Sequence, residues 1–83
     1  MLVYFVFVLD DRCRGDEIAW SPMTPFYTLE DADFEAYWIA KLEIDMYNFS
    51  EEDDLRVFAL KPNAVRYAIK NTTFSVIIRQ IEV

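Results

Sequence analysis

Histidine is missing from the 83 residues, and cysteine and glycine occur once each. Without histidine, neither Cys13 nor any serine has beside it the base that nucleophilic catalysis requires. Zinc centres draw on Cys and His in numbers this chain does not supply. Gly15, standing alone, does not make a glycine-rich phosphate cradle, and no EF-hand spacing with its central glycine occurs around Asp45 or Glu51 to Asp54. One cysteine excludes an intramolecular disulfide and fits a reducing, cytoplasmic setting. With three prolines and one glycine the chain has few joints, and it shows no linker, repeat or low-complexity segment. Long hydrophobic runs are lacking too. The longest, Leu2 to Leu9, is too short to span a bilayer, and neither a basic leader nor a small-residue cleavage site accompanies it, so the expected protein is soluble and has no membrane partner.

Positive charge is scarce over most of the length. Residues 1–54 hold 14 of the 15 acids against Arg12, Arg14 and Lys41, a net of −11; residues 55–83 hold five bases against Glu82, a net of +4, which leaves −7 in all. A field of that sign repels nucleic acid and attracts cationic surfaces. The five later bases, Arg56, Lys61, Arg66, Lys70 and Arg79, are scattered, and the reading assigns them to neutralising the acidic part within the molecule rather than to direct nucleic-acid binding. Fifteen carboxylates provide pairs of the kind glycosidases use, but so small a chain has little volume for a substrate cleft. The chain is therefore read as non-enzymatic, with no cofactor and no metal.

What is abundant is apolar: 54% of residues, including 14 aromatics, enough for one compact domain over residues 1–83 without staples. Leu2 to Leu9 reads as a strand in the middle of the sheet, covered on both faces. Asp16 to Thr28 reads as an irregular arm, with short edge strands around Ile18 to Trp20 and Pro25 to Tyr27. Thr28 and Asp31 resemble a capping box and open a helix over about residues 29–47. At about 100° per residue, Leu29, Ala32, Ala36, Ile39, Ala40 and Tyr47 share one face, while Phe34, Trp38 and Leu42 form an opposite stripe. Leu55 to Leu60 reads as a strand, Pro62 and Asn71 bracket a short helix over about residues 63–70, and Thr72 to Val83 alternates as a terminal strand. The expected fold is α/β (α+β), a small two-layer sandwich with a three- to four-stranded mixed sheet, whose core includes Val3, Phe5, Val6, Phe7, Val8, Ile39, Val57, Phe74, Val76 and Ile78.

Two features carry the functional expectation. The acidic run Glu51, Glu52, Asp53 and Asp54 follows Glu43 and Asp45 at a helix end, where the dipole makes anions unfavourable, so it is either a solubilising loop or a group retained to meet Lys and Arg on a partner. The stripe Phe34, Trp38 and Leu42, flanked by Glu30, Asp31, Glu35 and Asp45, is either covered by the arm carrying Trp20, Met23, Phe26 and Tyr27 or left as an apolar patch with an acidic rim. Together these twelve residues are the candidate partner-binding site.

In size, acidity and lack of catalytic motifs the chain resembles, as a type, the small phage-made inhibitors of host nucleic-acid enzymes, anti-CRISPR proteins and DNA mimics among them. That resemblance implies a cytoplasmic binding module whose carboxylates stand where nucleic-acid phosphates would sit on a basic protein surface. The alternative is a structural or self-assembling protein that forms a homodimer through the aromatic helix stripe.

Overall fold

The computed structural model describes residues 1–9, 17–19, 24–61 and 64–83; Cys13, Gly15, Trp20, Met23, Pro62 and Asn63, to which the sequence reading gave roles, lie outside them. Among the described residues five strands, β1 (Leu2–Leu9), β2 (Glu17–Ala19), β3 (Leu55–Lys61), β4 (Ala64–Ile69) and β5 (Ser75–Glu82), form one sheet in the order β2-β1-β5-β4-β3. All its pairings are antiparallel, and four of the strands are long. A long helix, α1 (Leu29–Met46), and a one-turn helix, α2 (Glu51–Asp54), complete a two-layer α+β fold.

The layers follow from period-two alternation. On one face of the sheet Tyr4, Val6 and Val8 of β1, Val76 and Ile78 of β5, and Val65, Tyr67 and Ile69 of β4 meet α1 through Ala32, Ala36, Ile39, Ala40 and Ile44. The alanines are small enough for the helix to lie close to the sheet across β1, β5 and β4. Val57, on β3, shares that face but is 59% exposed, because the helix sits over the neighbouring strands instead.

Side-chain and backbone caps define α1. The Thr28 hydroxyl oxygen accepts from the Asp31 amide at 3.2 Å. At the other end Asn48 takes φ 58°, and the Phe49 amide donates to the Ile44 carbonyl at 2.9 Å, the six-to-one bond of a Schellman motif. Its accompanying apolar contact is present as well: Phe49 packs on the core cluster that contains Ile44.

Three expectations are corrected. Residues 64–69 form β4, not the short helix expected over about 63–70. Val65, Tyr67 and Ile69 fill the core side at every second position, and Asn71, at φ 64°, serves the β4–β5 turn rather than a helix end. The short helix is α2, earlier in the chain. Second, the sheet is antiparallel rather than mixed, because the helical connection carries the chain from the β2 edge to the far edge, and β3, β4 and β5 return as a meander. Third, β5 occupies the middle and β1 lies beside it, paired over Leu2↔Glu82 to Leu9↔Ser75.

The core expectation holds for Val3, Val6, Ile39, Phe74, Val76 and Ile78. Phe5 and Phe7 point away from α1 and are only half-buried, whereas Val3 on the same side is buried. Of the described arm residues, Phe26 joins the sheet. The amide and carbonyl of Phe26 exchange hydrogen bonds with those of Tyr4, both at 2.8 Å, while Tyr27 is exposed.

Candidate interaction face on the helix layer

Because α1 buries its alanine face, the opposite stripe is turned to solvent. Phe34 is 67%, Trp38 46% and Leu42 57% exposed, so the stripe is an open face rather than a satellite core, and Met46 extends it by one more step of four. Phe34 and Trp38 meet edge to face with ring centroids 6.2 Å apart, and Trp38 meets Tyr37 at 5.8 Å. Tyr37 in turn contacts Tyr67 of β4 at 6.1 Å. The exposed indole is thus braced by an aromatic series that runs into the core.

Acids surround the stripe in two ways. Glu30, Asp31 and Asp45 are exposed on α1, and Asp31 and Asp45 fall on the side of the stripe, one toward each end. Glu35 and Glu43 are half-buried and engaged. In the acidic run the structure finds order that the sequence reading missed. Ser50 caps α2 by accepting from the Asp53 amide at 3.3 Å, and its own amide donates to Asp54 Oδ2 at 2.7 Å. Its four acids therefore lie in the first turn of a new helix, where the dipole favours them, rather than simply at the disfavoured end of α1.

Glu51 accepts from the Tyr37 hydroxyl and lies 4.0 Å from Lys41, which also pairs with Asp45 at 2.9 Å. This arrangement raises the Tyr37 pKa, chiefly through the hydrogen bond to Glu51, and raises that of Lys41, chiefly through Asp45. Glu51 and Asp54 are thereby tied into the fold, while Glu52 and Asp53 face outward.

Sequence reasoning also passed over Asp33, whose Oδ1 accepts from the Tyr67 hydroxyl at 2.6 Å, joining helix to sheet. Burial, and then this hydrogen bond, push the Tyr67 hydroxyl well above the usual tyrosine range. The signal for that pairing was absent, since the partners lie 34 residues apart.

Charge separates by layer. On the sheet face away from α1, the described side chains include Arg56, Arg66 and Arg79 among Phe5, Phe7, Phe58, Ile77 and Ile81. Arg79 stands over the Phe7 ring at 5.8 Å. Among the described residues no helix is long and apolar enough to cross a membrane. In comparisons with known proteins, no family model, no curated protein and no solved structure matches the chain.

Proposed function

We propose that the protein is a non-enzymatic binding module whose outward α1–α2 face engages a basic, nucleic-acid-binding surface of a partner protein. The observation that carries this reading is the exposed Phe34, Trp38 and Leu42 stripe with acids along it. Aromatic anchors supply most of the energy at protein interfaces, and a charged rim steers the encounter and sets the register. Asp31, Asp45, Glu52 and Asp53 meet cationic side chains, and Trp38 enters an apolar recess between them. A module of this kind acts as an inhibitor of the phage-made type by occupying the groove that nucleic acid would fill.

The homodimer alternative uses the same stripe, which has the four-residue spacing that packs helix against helix. A two-fold antiparallel pairing of α1 would bring the acids at one end, near Asp31, toward those at the other, near Asp45. Opposed carboxylates there favour a basic partner over a copy of the same face.

Competition tests the reading. A partner captured from the native host should release the protein when nucleic acid is added, and Glu52→Gln with Asp53→Asn should slow association while leaving the thermal melt unchanged. Affinity should fall as salt is raised from about 0.1 to 0.5 M, where the Debye length contracts from about 10 Å to under 5 Å. Salt-independent binding, indifferent to nucleic acid, contradicts it.

A further inference from the structure

The sheet face turned away from α1 has chemistry complementary to the outward face of α1. Odd positions of β1 and β5 and even positions of β3 and β4 share this side, as the registers Phe58↔Arg66, Arg66↔Ile77 and Phe5↔Arg79 require. Toward β1 it is closed, with Val3 and Ser75 buried. Over β3, β4 and β5 it opens: Arg56, Phe58, Arg79 and Ile81 are exposed, and Arg66 and Ile77 are half-buried. The Arg66 Nε atom is buried without a hydrogen-bond partner. Each arginine stands beside an apolar group, and Arg79 is engaged within the fold as well.

We infer that this patch binds the outward face of α1 of a second copy, so that copies associate head to tail, helix layer on sheet layer. The dimensions agree. An 18-residue helix is about 27 Å long and about 10 Å across, while strands of seven or eight residues run about 25 Å and three adjacent strands span about 10 Å. Charge agrees as well, because Asp31 and Asp45 bracket the α1 stripe and the arginines lie among the apolar groups of the sheet. At about 0.15 M salt the Debye length is about 8 Å, so an arginine responds to the carboxylates opposite it more than to the net charge of −7. The two faces differ, so the contact is heterologous and leaves one face free at each end of a growing stack. Self-association then occupies the surface offered to a basic partner. The inference rests on the reading of that surface as a contact face.

Complementation between face-specific variants tests it in sedimentation equilibrium. Wild type should form species larger than a dimer as concentration rises. Trp38→Asp, which disables the helix face, and Arg56→Glu with Phe58→Asp, which disables the sheet face, should each be monomeric. Mixed together they should give a one-to-one heterodimer, since each retains the face the other has lost. Should a charged variant fail to fold by circular dichroism, Trp38→Ala and Arg56→Gln with Phe58→Ala carry the same comparison, with association expected to weaken at least about tenfold.

Three results overturn the inference: a wild type that stays monomeric to about 1 mM, a closed dimer abolished by Trp38→Asp but untouched by the sheet variant, or a single-stranded oligonucleotide occupying the sheet face of a protein that does not self-associate. Partner binding lost in Trp38→Asp while wild type remains monomeric would overturn self-association and leave the proposed function standing. Head-to-tail association with partner binding indifferent to Trp38→Asp would do the reverse.

Discussion

Tyr67 joins the two layers through one hydroxyl, donated to Asp33 from a side chain that also contacts Tyr37. Its raised pKa means that the folded chain holds this proton more tightly than the unfolded one does. The resulting stability is complete below the ordinary tyrosine value of about 10 and is lost as pH climbs toward the folded value. Urea midpoints should therefore be level through neutral pH and fall above about pH 10, more steeply in wild type than in Tyr67→Phe. At neutral pH, Tyr67→Phe should cost about 1.5 to 3 kcal/mol, the net worth of a hydrogen bond to a charged group. An alkaline slope identical in both proteins would assign the titration elsewhere. Asn48 offers a second residue-scale test, since its φ of 58° is one that glycine accepts and a β-branched residue resists. Asn48→Gly should melt as wild type does, whereas Asn48→Val should lose about 1 to 2 kcal/mol.

Among the elements, β1 shows most directly what parity decides. Val6 is buried between α1 and Ile78 of β5, while Phe5 and Phe7 point the other way and are half-buried despite their size. Ile78→Ala should cost about 2 to 5 kcal/mol in chemical denaturation, and Phe5→Ala should cost less than the usual core phenylalanine. A larger loss at Phe5 than at Ile78 would place the main core on the wrong side of the sheet.

The helix was legible because its signals are local: Thr28 caps its start, and alanines recur along the buried face. The terminal strand was legible through its alternation. Ala64 to Ile69 was misread because Pro62 before it and Asn71 after it punctuate a helix and a hairpin equally well. Val65, Tyr67 and Ile69 decide the matter by pairing with β3 and β5, contacts that the six-residue segment does not itself contain. The sheet order was illegible for the same reason, since its longest ladder joins Leu2 to Glu82 across nearly the whole chain. At the candidate site the stripe could be read from spacing, but its exposure belongs to the assembled fold and not to the spacing. Ser50 with Asp53 was a readable cap for α2, obscured by the density of acids after it.

At the scale of the whole molecule, the excess of acids early in the sequence becomes a difference between layers, because residues 29–54 build the helix side and Arg56, Arg66 and Arg79 project from the opposite sheet face. The fold thus sets these three arginines on the side opposite the acids of α1 and α2, leaving an acidic, aromatic-ridged outward face on the helix layer. Trp38 reports on that surface directly. In a Trp20→Phe background, acrylamide quenching of the remaining tryptophan should be efficient in the dilute free chain, as its 46% exposure requires, and should fall with a blue shift of emission when the captured partner binds. Quenching that is equally efficient in the free and bound protein would contradict the claim that the α1 face is the contact surface.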